Sequence, residues 1–344
     1  MSSLLSNNQN KKAVAVDLGS NQIKVVVTDK SGSITQTVIA HNPLGYGLPL
    51  KTPQIEPLAE LLKNIFAENK LPKQNLYIAM PEKHVSTQVI SIPTLTDSEL
   101  ASSINWQAQQ YIPIPKEELV LNYQVLYRPD KKDTAVKEMR VLLTGINKTH
   151  LNNLTATYRQ AGLEPTVLET ESIATLRHLH IDNQDSASMI VNLGASGMDL
   201  IVVKGSEIDM AISHQTGSDM ITKAIMSTFN LNHDQAEQYK KAYGIDPRQA
   251  EGKIAQAIVP VAQIILGDIK NTIAFYNRKN PLRTLSRVYI CGGGSLMPSF
   301  PELLATNLNL EIVPLDIFAD LTGEIPQKDQ LLFPVASGLI KRNM

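Results

Sequence analysis

The sequence predicts an α/β protein of two related halves, with a small α+β subdomain inserted in the first half. Three observations carry this reading. A strand, a short turn opening on Leu-Gly and a return strand occur twice. They run from Ala13-Val14-Ala15-Val16-Asp17-Leu18-Gly19-Ser20-Asn21 into 22–28, and from Ser188-Met189-Ile190-Val191-Asn192-Leu193-Gly194-Ala195-Ser196 into 198–204. The two copies lie 175 residues apart, which indicates a duplicated half and not a short solenoid repeat. Strands alternate with amphipathic helices on either side, as an α/β architecture requires. Between Pro81 and Gly162 the texture changes to alternating extended runs around one capped helix.

In chain order, the Val-rich run 13–17 reads as a buried strand. The run 23–28 returns from a tight glycine-bearing turn, and 34–40 is a third strand of the same meander. Leu58, Leu61, Leu62, Ile65 and Phe66 make one helical face, followed by a strand over 76–80. Residues 85–93 alternate as an extended run. Thr96-Asp97-Ser98-Glu99 is a capping box that opens a helix through Leu100, Ile104 and Ala108, which Pro113 and Pro115 stop. Strands are expected at 123–127 and 140–146 around a polar loop, then a helix over 149–161 with Gly162 just past its end. The rest reads as a strand at 167–169, a helix over 172–180, the repeated strand pair, helices over 235–243 and 254–278, a strand over 287–291 and final helices over 299–308 and 334–341.

Composition narrows the class. Hydrophobic residues are 43% and charged residues 19%, an ordinary globular balance, and the formal net charge is −1. Nucleic-acid binding driven by counterion release therefore has no bulk support. The single cysteine, Cys291, excludes a disulfide within the chain and has no His or Cys at ligand spacing, so it reads as a small buried residue. No apolar run of about 20 residues stands out, and the polar N-terminus lacks a signal-peptide core. A cytoplasmic protein without direct membrane insertion is expected.

The chemistry concentrates in three glycine-bearing loops, each following a strand. A tight turn lets backbone N–H groups face a phosphate with no side chain between them. Asp17 could hold Mg²⁺ through water, and Gly19, Ser20 and Asn21 could bond phosphate oxygens. Lys24 either adds charge there or points outward. Gly194, Ala195 and Ser196 offer a second cradle, and Gly292-Gly293-Gly294 a flat surface for a purine. One such loop alone would more often be simple turn chemistry; the pair together with the triple glycine raises the phosphate reading. No G-x-x-x-x-G-K-[ST] or H-E-x-x-H pattern occurs. Trp106, the only tryptophan, is expected in the core ahead of a partner groove.

The paired loops and triple glycine, in this order, resemble the actin-like ATPase superfamily, with its ribonuclease H-like, two-lobed fold. Trp106-Gln107-Ala108-Gln109-Gln110-Tyr111-Ile112-Pro113-Ile114-Pro115 and Asn122-Tyr123-Gln124-Val125-Leu126 narrow the resemblance to the type IV pilus assembly protein PilM family. That resemblance implies ATP (or ADP) with Mg²⁺ between two halves. Its usual partner is the cytoplasmic N-terminal peptide of a PilN-like bitopic inner-membrane protein, which recruits it to the inner membrane among other pilus assembly proteins; a homo-oligomer is also conceivable. It divides the chain into a flexible tail (1–11), a first core subdomain (12–83, 163–185 and 332–344), an inserted partner-binding subdomain (84–162), a second core subdomain (186–220 and 280–331) and a helical nucleotide cap (221–279). Asp17, Gly19, Ser20 and Asn21 match the first phosphate loop, and Gly194, Ala195 and Ser196 the second. Glu171 matches an acidic residue facing the metal's water shell. Gly217 and Ser218 open a helix whose N-terminus favours phosphate. Glu237 and Lys240 match ribose or adenine contacts, and Gly292, Gly293, Gly294 with Ser295 and Met297 the adenosine loop.

One departure stands out. Relatives commonly carry Asp before the second turn, where this chain has Asn192. Asn keeps hydrogen-bonding capacity without negative charge. A nucleotide-dependent scaffold with slow or negligible hydrolysis is therefore expected, with no catalytic residue assigned. The alternatives are a small-molecule kinase of the same superfamily and an FtsA-like filament former.

Overall fold

The computed structural model describes residues 12–130, 137–179, 187–205, 207–281 and 285–343. The expected tail, most of the 128–137 loop and the end of the helix predicted to reach His180 lie outside the described residues. The first lobe starts with β1 (Ala13–Leu18), β2 (Gln22–Thr28) and β3 (Ile34–His41), followed by α1 (Ile55–Glu68) and β4 (Leu76–Met80). An insert follows, made of β5 (Val85–Pro93), α2 (Asp97–Ala108), β6 (Leu119–Tyr127) and β7 (Glu138–Asn147). The lobe resumes with α3 (Lys148–Gln160), β8 (Pro165–Thr170) and α4 (Glu171–Leu176). The second lobe has β9 (Ala187–Leu193), β10 (Met198–Lys204), β11 (Glu207–His214), α5 (Ser218–Phe229), α6 (His233–Tyr243), α7 (Lys253–Lys279), β12 (Leu285–Cys291), α8 (Phe300–Leu308) and β13 (Glu311–Pro314). The last helix, α9 (Pro334–Ile340), returns to the first lobe.

The duplication is explicit in the sheets. The first runs β3-β2-β1-β4-β8 and the second β11-β10-β9-β12-β13. In each, the first three strands are antiparallel and the last two run parallel to the first. Side-chain alternation places Val14, Val16 and Leu18 of β1 in a core with α1 and α3, while Ala13 and Ala15 face the other lobe. Ala174, Val335, Ala336 and Leu339 of α4 and α9 lie between the two sheets in one apolar cluster with Ile190, Ile201 and Cys291 of the second lobe. Such burial contributes roughly 25 cal/mol per Å² of apolar surface. The shared core therefore holds the two sheets in a fixed relation.

Several expectations need correction. The predicted helix over 172–180 runs from Glu171 to Leu176 only. β11 was not anticipated, although its Ile208, Met210 and Ile212 alternate with Glu207, Asp209 and Ser213 in a period of two. Helix α3, assigned with the insert, packs on α1, and its Leu154 and Tyr158 belong to the first-lobe core. It makes the crossover between β4 and β8, as α8 does between β12 and β13. The insert proper is the β5-β7-β6 antiparallel sheet covered by α2, with Ile90, Ile92, Leu100, Ile104, Val141 and Leu143 in its own core. Trp106 is 71% exposed on α2 and not in the core. The helix carries its apolar residues at 100, 104 and 108, and position 106 falls on the opposite side. Its capping box forms as expected, with Thr96 N–H donating to Glu99 Oε2 at 2.8 Å and Glu99 N–H to Thr96 Oγ1 at 3.3 Å.

By length and composition α7 is apolar enough to cross a bilayer, which the sequence reading did not anticipate. Ile254, Ile258, Ile265, Ile269 and Tyr276 bury one face of it in the second-lobe core. The insert also touches the second lobe. Arg140 of β7 donates to Glu207 at 3.2 Å and Asp209 at 2.6 Å on β11.

Candidate functional site

The two duplicated turns face one cleft of about 570 Å³ between the lobes, a volume usual for small-molecule sites. In the first hairpin, β1 ends where Asp17 pairs in register with Lys24 of β2. Lys24 Nζ donates to Asp17 Oδ2 at 3.2 Å, so the lysine points into the cleft and not outward. The side-chain amide of Asn42 holds the turn from below by donating to the carbonyls of Gly19 (2.9 Å) and Tyr46 (2.8 Å). In the second hairpin the equivalent pair is Asn192 on β9 and Asp199 on β10. The second hairpin therefore carries its acidic residue on the return strand, within the same cleft.

The second turn is held by the start of α5. The amide of Ser218 donates to Gly194 O at 2.9 Å and that of Asp219 to Ala195 O at 3.0 Å. A Cβ on Gly217 would lie 2.2 Å from Ala195 O, so only glycine permits this approach. The expected roles of Gly217 and Ser218 change accordingly. Those two helix amides are occupied by the turn and are not offered to a phosphate; Ser218 borders the cleft, whereas Gly217 packs behind it.

The third loop follows β12. Gly292 has φ +82° and its amide donates to Leu331 O at 2.8 Å. A side chain there would meet Leu193 O at 2.5 Å and Asn192 Oδ1 at 2.6 Å. Ser295 closes a short 3₁₀ turn by donating through Oγ to Gly292 O at 2.7 Å. Gly292, Gly293 and Met297 border the cleft, while Gly294 is packed against Leu193 and Ser218 behind it. On the facing helix, Glu237 and Lys240 form a 2.6 Å ion pair, and Lys240 also donates to Thr222 Oγ1 at 2.9 Å. The pair holds the Glu237 carboxyl below its usual range against the opposing effect of burial.

Of the residues singled out from sequence, Asp17, Gly19, Ser20, Asn21, Lys24, Glu171, Gly194, Ala195, Ser196, Ser218, Glu237, Lys240, Gly292, Gly293 and Met297 all border this cleft. Asp199, Lys83, Ser213 and Lys241 border it as well and were missed. The register of the second hairpin could have revealed Asp199, because it stands opposite Asn192 as Lys24 stands opposite Asp17.

The cleft floor concentrates buried carboxyls. Burial raises Asp199 to about 7, with Glu82 adding to the shift, although Ser213 Oγ donates to it at 2.7 Å. Burial first, and then Asp199 and Asp17, push Glu171 well above the usual carboxylate range. Glu82 is raised by burial. Among the described residues no three such side chains are close enough to hold a metal directly. A cation here would be held through its water shell and through a ligand's own oxygens, a mode that suits Mg²⁺. The two turns, four lysines, the buried acids and the glycine loop thus line one cleft.

The fold is shared with solved structures. The PilM–PilN type IV pilus biogenesis complex contains a chain that superposes with a TM-score of 0.83 at 22% identity, covering 97% of this chain and 98% of that one. The ethanolamine utilization protein EutJ from Carboxydothermus hydrogenoformans gives 0.57 at 18% identity over 96% and 89%. MreB5 of Spiroplasma citri bound to ADP gives 0.54 at 14% over 96% and 95%. In sequence, the cell division protein FtsA of Streptococcus pneumoniae is 22% identical over an alignment of 311 positions that covers 84% of this chain and 63% of that protein's length. The family model for type IV pilus assembly protein PilM matches residues 15–342, and the chain belongs to that family, with an actin-like fold.

Proposed function

We propose that this protein is an ATP-binding scaffold of a type IV pilus or related assembly machine. It acts on the cytoplasmic side of the inner membrane by binding the N-terminal peptide of a PilN-like membrane protein. The observation that carries the nucleotide half is the facing of two duplicated turns across one cleft, with the Gly292 loop beside them. The turns of 19–21 and 194–196 suit the phosphate chain. Gly292, Gly293 and Met297 suit adenine, and Glu237 with Lys240 the ribose or base edge. Mg²⁺ neutralises phosphate charge when bound; Asp17 and Glu171 would hold its waters.

Asn192 alone argued against hydrolysis, but Asp199 restores a carboxylate to the second hairpin. A buried carboxyl near pKa 7 can accept a proton close to neutral pH. We therefore assign slow turnover, with Asp199 as the proton acceptor. For the partner half, the insert displays Trp106, Tyr111, Tyr123 and Tyr127, all exposed. Aromatic side chains of this kind anchor peptides, because they offer large contact area with few rotatable bonds.

Three outcomes follow. Mg·ATP at millimolar concentration raises the unfolding midpoint of the intact chain, since a ligand bound only by the native state stabilises it; Gly293→Val, where an added Cβ meets only the end of the Leu332 side chain, removes that rise while the protein remains folded by circular dichroism. An unshifted midpoint in the wild type sinks the nucleotide reading. Second, the Asp199 carboxyl is raised in the folded state from 3.8 to about 7, so the unfolded chain releases its proton first. Its contribution to stability is complete below about pH 4 and is lost as pH rises through about 7. Asp199→Asn should thus exceed the wild type in urea unfolding by a margin that grows from pH 5 to pH 8, and abolish residual phosphate release. Third, Trp106→Ala weakens binding of a fluorescent PilN-type N-terminal peptide about tenfold, as expected for an aromatic anchor; equal affinity would move the partner surface elsewhere.

A further inference from the structure

Four lysines border the cleft: Lys24, Lys83, Lys240 and Lys241. Three of them have a carboxylate partner. Lys24 is paired with Asp17 at 3.2 Å, Lys240 with Glu237 at 2.6 Å, and Lys241 with Glu237 at 3.7 Å. Lys83 differs. Its Nζ donates to the hydroxyl of Ser196 at 3.3 Å, and among the described residues no carboxylate oxygen lies within ion-pairing distance of it. A neutral hydroxyl at that distance leaves the ammonium without a direct ion pair, although its charge still favours the ionised Asp199 nearby. The donor comes from the first lobe and the acceptor from the second turn, so this single contact spans the mouth of the cleft.

The backbone around Lys83 is held rigidly. It lies in a short 3₁₀ turn, Glu82–His84, between β4 and the insert. The amide of Glu82 donates to Glu171 Oε2 at 3.0 Å. The buried Glu82 carboxylate accepts from Thr87 Oγ1 of β5 at 2.8 Å and from the Ser172 amide at the start of α4 at 3.2 Å. On the other side, His84 meets His150 of α3 edge-on at 5.3 Å between ring centres. The residue preceding Lys83 is thus bonded directly to β5, the first strand of the insert. The insert has its own attachment to the second lobe through Arg140.

We propose that Lys83 reads the terminal phosphate of the bound nucleotide, making it the residue that distinguishes a nucleoside triphosphate from a diphosphate and reports the difference to the insert. This rests on the nucleotide reading above. The glycine loop and the Glu237–Lys240 pair take the base and sugar end of the cleft, so the chain's last phosphate lies toward the second turn, where Lys83 stands. There a phosphate oxygen replaces the Ser196 hydroxyl as partner, forming the charge-assisted bond the ammonium lacks. A diphosphate falls short of it.

The test uses the intact chain with Mg·ATP and Mg·ADP, each titrated by calorimetry, together with hydrogen exchange of 85–93 in both states. In the wild type ATP binds more tightly than ADP, and ATP alone protects β5. Lys83→Met lowers ATP affinity about tenfold, the size expected from loss of one charge-assisted bond, while ADP affinity changes by less than about threefold, and the ATP-specific protection disappears. Lys83→Arg recovers most of the ATP preference. If the Met variant keeps the wild-type ratio of ATP to ADP affinity, or loses both equally, Lys83 is not the phosphate reader. If the wild type binds neither nucleotide, the nucleotide reading itself fails, an outcome separate from the other two.

Discussion

The structure depends on one apolar junction: the helices α4 and α9 held between the inner faces of two sheets of the same topology. With the sheets fixed back to back, β1 and β9 both end at the same cleft, and their turns must face each other. Nothing in either hairpin alone would create a binding site. The junction turns two ordinary strand-turn-strand units into opposite walls, and the close approach of Gly292 to Leu193 and Asn192 sets the third loop beside them. The same junction gathers buried acids on the floor, because strand ends and the first turn of α4 meet there.

That arrangement brings both members of each hairpin pair to the same cleft. Asn192 and Asp199 are cross-strand neighbours, as are Asp17 and Lys24. Side chains at paired positions at the mouth of a hairpin reach the same space. A carboxylate on either member of such a pair therefore acts on the same region of the cleft. The first hairpin spends its paired position on a lysine that neutralises Asp17; the second leaves Asp199 without such a partner, and burial raises it instead.

Much of this was legible in the sequence, for identifiable physical reasons. The twin turns could be read because a buried strand, a Leu-Gly turn and a return strand leave a strong local pattern, and the Thr96–Glu99 cap could be read because its reciprocal hydrogen bonds are local. Trp106 was misplaced because a helix covering one small sheet needs apolar residues only at 100, 104 and 108. α3 was assigned to the insert because sequence adjacency does not reveal which core a crossover helix joins. Asp199 and Lys83 were missed for a related reason: each has its role through a partner across a sheet register or across the cleft, and neither belongs to a local motif. Gly217 carried the right signal, a glycine at a helix start, but the close approach it permits serves the neighbouring turn.

The central claim is positional: a nucleotide lies between the two turns with its base against the glycine loop. Photolabelling the intact chain with 8-azido-ATP and Mg²⁺, followed by peptide mapping, tests it most directly. The account predicts modification confined to the segments 292–297 and 237–241, suppressed by excess ATP. Labelling elsewhere on the chain, or labelling that excess ATP does not suppress, would contradict it.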